Sequence, residues 1–156
     1  MARDLNAGDA APAFALPTDG GGEARLADLK GKAVVLYFYP KDDTSGCTAE
    51  AIAFSGLKPK FAAAGAEVIG VSPDTAASHD RFKTKHQLAI ALAADPERSA
   101  IEAYGVWKEK SMYGRKYFGV ERTTFLIDRA GRIAKVWRKV KVPGHADEVL
   151  AATKAL

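Results

Sequence analysis

Ala33-Val34-Val35-Leu36-Tyr37-Phe38-Tyr39-Pro40-Lys41-Asp42-Asp43-Thr44-Ser45-Gly46-Cys47-Thr48-Ala49-Glu50 is the stretch on which the reading of this chain turns. The seven apolar residues from Ala33 to Tyr39 show no polar alternation, the pattern of a strand covered on both faces, which makes them the candidate central strand of a sheet. Pro40 cannot donate to a ladder and ends that strand. Beyond the polar loop, Thr44 and Ser45 are both N-cap types. A helix is expected to start there and run through Phe54 to about Gly56, with Cys47 in its first turn. Pro59 then opens a new helical segment or kinks the old one, and Gly65 stops it.

Upstream, Phe14-Ala15-Leu16, Pro17 and the Asp19-Gly20-Gly21-Gly22 cluster read as a short N-terminal hairpin. Leu26 to Gly31 follows as one helical turn. Downstream, Ala66 to Val71 is a strand, and a helix from about Asp74 to Gln87 takes Asp74 or Thr75 as its cap. Ile90-Ala91-Leu92-Ala93 is a short third strand, after which Pro96 suits the first position of a helix that ends at Gly105. Trp107 to Val120 is polar, basic and glycine-punctuated, and is expected to be a long loop. Thr123 to Ile127 and Ile133 to Val140 form a hairpin, and a last helix covers about Ala146 to Ala155. There is no internal repeat. The order of hairpin, βα, βα, βα and ββα predicts one α/β domain over residues 1–156, a mixed central β-sheet flanked by helices.

Composition narrows the function. The chain has 156 residues, 27% of them charged and 47% hydrophobic, values expected of a soluble single domain. Met1 to Asn6 leads into a polar segment without an apolar h-region, so no signal peptide is expected and the expected address is cytoplasmic. The single cysteine excludes an internal disulfide, a C-x-x-C dithiol site and a Cys/His zinc cluster, and no metal or cofactor is expected. A net charge of +4 invites a nucleic-acid reading, but the basic residues do not cluster on one face. The densest run, Trp137-Arg138-Lys139-Val140-Lys141, lies at a strand end where alternation splits its charges, so no nucleic acid and no membrane partner is expected. His79, His86 and His145 read as surface or capping residues, and Trp107, Trp137 and Phe54 as packing.

Cys47 starts with the bland reading of a small core residue. Its place in a first helical turn changes that, because backbone N–H groups and the positive end of the helix dipole favour a thiolate. Moving an ordinary thiol from about 8.5 to about 6 is worth roughly 3.4 kcal/mol, whereas a helix terminus supplies about 1. A nearby cation is therefore required. Full ionisation raises the thiolate population only about thirtyfold at pH 7, so fast chemistry also needs donors aimed at the transition state. Thr44, one turn earlier, offers a hydroxyl.

Pro40-Lys41-Asp42-Asp43-Thr44-Ser45-Gly46-Cys47 carries the P-x-x-x-T-x-x-C pattern and resembles the peroxiredoxins. The wider text, including Glu67-Val68-Ile69-Gly70-Val71-Ser72 and Glu121-Arg122-Thr123-Thr124-Phe125, is similar to their Q-type, bacterioferritin-comigratory branch from about Ala10 onward. The resemblance implies a thioredoxin-like fold and reduction of hydrogen peroxide or organic hydroperoxides. It implies that Cys47 is the peroxidatic nucleophile, that Thr44 hydrogen-bonds the peroxide, and that Pro40 shields the pocket. It further implies that the backbone N–H groups of Gly46 and Cys47 bind substrate, and that Arg122 is the missing cation. Glu50 either orients Arg122 or is only an acidic residue complementing the dipole.

The chain departs from that branch at Ser45, usually proline, a change that loosens the loop or supplies a cap. It departs again at Ile52 and Lys83, which stand where a resolving cysteine is found. A one-cysteine enzyme is therefore expected, recycled by an external thiol such as thioredoxin, glutaredoxin or glutathione. It is expected to be a monomer, with a Cys47-linked dimer as the oxidised alternative. The rival reading is a redox-sensing or chaperone-like binding protein on the same fold.

Overall fold

The computed structural model describes residues 4–156; the leader reading therefore falls partly on residues 1–3, outside the described residues. Strands β1 (Ala15–Pro17) and β2 (Glu23–Arg25) form the N-terminal hairpin. The central sheet holds β3 (Ala33–Phe38), β4 (Ala66–Ser72), β5 (Ala91–Ala94), β8 (Thr123–Ile127) and β9 (Ile133–Trp137), in the spatial order β5-β4-β3-β8-β9. β3 runs parallel to β4 and antiparallel to β8, so the sheet is mixed, as expected.

Every residue of β3 is buried, and its two faces feed two cores. Val35, Tyr37 and Tyr39 pack with helix α1 (Ser45–Ala63) and helix α4 (His145–Lys154), whereas Val34, Leu36 and Phe38 pack with the N-terminal segment and helix α3 (Ser99–Ala103). This is the physical reason for the missing alternation. Gly70 on β4 lets the Tyr37 ring cross it: a Cβ there would stand 2.7 Å from the Tyr37 hydroxyl. Phe54 stacks on that ring with centroids 4.7 Å apart.

Three boundaries differ from expectation. α1 continues through Gly56 and Pro59 as one helix to Ala63, because packing of Phe54 and Phe61 into the core outweighs two weak helix formers. α3 starts at Ser99 rather than at Pro96, since the Asp95 carboxylate accepts from the backbone N–H groups of Ser99 and Ile101 and fixes the first turn there. The expected loop from Trp107 to Val120 is instead a hairpin of β6 (Trp107–Met112) and β7 (Arg115–Val120), paired in register and turning at Tyr113-Gly114. Its charged residues obscure the alternation because most of its length is exposed on both faces. Helix α2 (Ala76–His86) takes Thr75 as its cap, with Thr75 Oγ1 accepting from Ser78 N–H.

Candidate active site

β3 delivers the chain to Pro40 at the rim of the sheet, and α1 begins five residues later with Thr44 as N-cap. The Thr44 hydroxyl does not cap the helix; it donates to the Lys41 carbonyl at 2.9 Å. The first-turn N–H groups of Gly46 and Cys47 are thus left without that side-chain partner. Ser45 is the first helical residue rather than the cap.

Cys47 is 1% exposed and packs in the core with Tyr37, Ala51 and Phe54. The start of β8 brings Arg122 across the sheet to it. Arg122 Nη2 donates to Cys47 Sγ at 3.3 Å, and Nη1 donates to Glu50 Oε1 at 2.6 Å. Gly46 leaves room for that approach: a Cβ on it would stand 3.2 Å from Arg122 Nη2, a tight contact. Burial pushes the Glu50 carboxyl up to about 7, against the opposing pull of the Arg122 charge and hydrogen bond. Burial also works against the charge on Arg122, but Glu50 and Cys47 together hold its affinity for the proton above the usual value. Glu50 is 1% exposed, and its Oε1 meets the Arg122 guanidinium rather than solvent. Glu50 Oε2 and the Tyr37 hydroxyl are buried without a hydrogen-bond partner among the described residues.

A second cluster, missed in the sequence, fixes the loop before Cys47. Asp42 Oδ1 accepts from the Tyr39 hydroxyl at 2.6 Å, while Oδ2 accepts from Ser78 Oγ at 2.8 Å and faces His79 Nδ1 at 2.7 Å. The Asp42 backbone N–H donates to Asp74 Oδ2 at 2.8 Å. Burial disfavours the Asp42 charge, yet hydrogen bonds from His79, Tyr39 and Ser78 prevail and hold its carboxyl below the usual range. His79 is fully buried and meets a second acceptor, the Ala93 carbonyl, at Nε2. The surface or capping reading is therefore wrong for His79. It is wrong for His145 also, which is buried with Nε2 2.8 Å from Thr124 Oγ1 and lies edge-on to Phe54 and Trp137. Burial lowers the His145 pKa. No sequence pattern signals the Asp42–His79 pair, because its members are 37 positions apart.

At the two positions where the resemblance would put a resolving cysteine, Ile52 is half exposed and Lys83 pairs with Asp19 at 2.7 Å. No grouping of three or more His, Cys, Asp or Glu side chains able to hold a metal is found among the described residues. No helix among them is long and apolar enough to cross a membrane.

A buried sulfur under one arginine, at the start of a helix on a thioredoxin-like sheet, is the arrangement of the thiol-based peroxidases. The chain belongs to the AhpC/TSA family, matched over residues 7–136, and within it to the Bcp branch of the peroxiredoxins. It is 50% identical over 146 residues to a putative peroxiredoxin bcp of Coxiella burnetii, covering 94% of this chain and 97% of that one. It is 49% identical over 150 residues to peroxiredoxin Bcp of Bacillus subtilis, covering 96% of each. Among solved structures it resembles a cysteine-to-serine mutant of PrxQ from Xylella fastidiosa, with a TM-score of 0.93, 41% identity and 98% of both chains covered. Xanthomonas campestris peroxiredoxin Q, also as a cysteine-to-serine mutant, gives a TM-score of 0.90 at 45% identity over 97% of this chain and 99% of that one.

Proposed function

We propose that Cys47 is the peroxidatic nucleophile of a thiol-dependent peroxidase. The observation that carries this is Arg122 Nη2 at 3.3 Å from Cys47 Sγ, a cation on the sulfur in a site nearly closed to solvent. The thiolate attacks the terminal oxygen of a hydroperoxide; the S–O bond forms, the O–O bond breaks, and the departing oxygen leaves as water or alcohol once protonated. Arg122 and the N–H groups of Gly46 and Cys47 stabilise the charge spread over the two oxygens. Because the Thr44 hydroxyl spends its hydrogen on Lys41, it meets the peroxide as an acceptor, receiving the O–H of the bound hydroperoxide. Pro40 shields the pocket, and Glu50 orients Arg122.

The Xanthomonas campestris bacterioferritin comigratory protein, a solved relative at 43% identity, is described by its alkyl peroxide reduction activity, which supports organic hydroperoxides beside hydrogen peroxide as substrates here. With one cysteine in the chain, the sulfenic acid passes to an external thiol. The working form is a cytoplasmic, one-domain monomer. One equivalent of peroxide added to the reduced protein removes the Cys47 thiol within seconds and leaves Cys47→Ser unmodified; a thiol that survives for many minutes contradicts the reading.

A further inference from the structure

The β6–β7 hairpin is poorly explained by folding alone. A two-stranded ribbon is marginal in water without a face to bury, and only its base, Trp107 and Val120, joins the core. Beyond that base it exposes Met112, Tyr113, Tyr117 and Phe118, the last two 43% and 59% accessible. Aromatic side chains, methionine and arginine together are the composition of a contact surface rather than of a solvated one.

The register divides these residues between two faces. One carries Glu109 opposite Phe118 and Ser111 opposite Lys116, and its charges are compensated by the Lys116–Glu109 pair at 3.7 Å. The other carries Lys108 opposite Gly119, Lys110 opposite Tyr117 and Met112 opposite Arg115. Lys108 is paired with Asp4, but Lys110 and Arg115 have no ion pair among the described residues. The Lys110 stem folds back across Gly119, whose absent Cβ would lie 3.6 Å from Lys110 Cδ, towards the end of β7 that leads into Arg122. Lys110 is close enough to Arg122, Glu121 and Cys47 to feel the charges of all three. This face therefore starts beside the Cys47 site at Lys110 and runs outward to the hairpin tip, carrying two cations outside any ion pair among the described residues and two apolar side chains.

We propose that this face docks an acidic dithiol protein that reduces oxidised Cys47. The inference rests on the peroxidase reading above and names the partner of that same site. A second copy of this chain would set Lys110 and Arg115 against their own equivalents in a symmetric contact, which like charges oppose. A small anionic thiol would leave Met112 and Tyr117 unused on strands roughly 20 Å long. The first partner thiol condenses with the Cys47 sulfenic acid, forming an S–S bond and releasing water. The second partner thiol attacks that mixed disulfide, returning the Cys47 thiol and leaving the disulfide in the partner.

The test uses full-length protein, oxidised with one equivalent of peroxide and then recycled by thioredoxin with its reductase, by glutaredoxin, or by dithiothreitol. The double variant Arg115→Glu, Tyr117→Ser is expected to lose at least tenfold in kcat/KM for the dithiol protein that recycles the native chain. Its initial oxidation and its recycling by dithiothreitol stay within about twofold of native. The opposite-face variant Lys116→Glu, Phe118→Ser keeps the protein-driven rate, and added salt slows that rate in the native chain only through the cationic face. Native-like recycling of Arg115→Glu, Tyr117→Ser overturns the proposal, as do equal losses with dithiothreitol, equal losses in both double variants, or failure of both dithiol proteins to recycle the native chain. A native dimer dissociated by the first variant with recycling intact would assign the face to a second copy instead. Failure of the native thiol to react with peroxide at all defeats the peroxidase reading and is seen before any recycling step.

Discussion

Glu50 Oε1 lies 2.6 Å from Arg122 Nη1, buried, while the other guanidinium nitrogen of Arg122 serves Cys47, so one cation is shared between two acids. Burial raises the Glu50 carboxyl to about 7 even with the Arg122 charge and hydrogen bond pulling it down.

The consequence for stability has a definite sign. Folded Glu50 holds its proton up to about 7, whereas an unfolded glutamate releases it near 4.3. The folded state therefore binds more protons across that window, and the Glu50 contribution to stability is lost as pH rises from about 4.3 through about 7. Glu50→Gln cannot ionise. In urea unfolding its stability relative to the native chain should improve by about 3 kcal/mol from the acid to the alkaline end of the window. Parallel stability profiles would show that Glu50 does not titrate there.

Gly46→Ala separates activity from stability. The added methyl would stand 3.2 Å from Arg122 Nη2 and must displace the guanidinium by a few tenths of an ångström. Oxidation of Cys47 by peroxide is expected to slow about tenfold. The urea midpoint should hold or rise slightly, because alanine is the better helix former. An unchanged rate would mean that Arg122 yields without consequence.

Asp42→Asn replaces one of two engaged carboxylate oxygens by a donor, facing Tyr39, Ser78 and His79 with too few acceptors. A loss of about 1 to 3 kcal/mol is expected, with slower peroxide oxidation as the loop before Cys47 loosens. Because the folded Asp42 carboxyl is held below its unfolded range, the native chain keeps this stabilisation above that range and loses it as pH falls through the folded value. Acid unfolding followed by circular dichroism should show that limb in the native chain and not in Asp42→Asn.

Much of this was legible in the chain. The unalternating run from Ala33 to Tyr39 announced a strand with two covered faces, and the Pro40 to Cys47 text announced a helix entry with a sulfur in its first turn. The energetic shortfall of a bare helix terminus called for a cation, but only the resemblance singled out Arg122, which reaches Cys47 from 75 positions away. His79 and His145 depart from the surface expectation, which holds because polar residues on helices usually face water; here Asp42 and Thr124 supply buried partners that local pattern cannot reveal. The β6–β7 hairpin was hidden for the opposite reason. A ribbon exposed on both faces lacks the apolar alternation by which strands are recognised.

The most direct test of the account is stopped-flow oxidation of Cys47 by hydrogen peroxide, with the adduct on Cys47 verified by mass spectrometry, in the native chain and in Arg122→Ala. The native thiol should be consumed within seconds to a sulfenic acid, and Arg122→Ala should react about a hundredfold to a thousandfold more slowly. A native thiol that persists for many minutes, or an Arg122→Ala variant as fast as native, would contradict it.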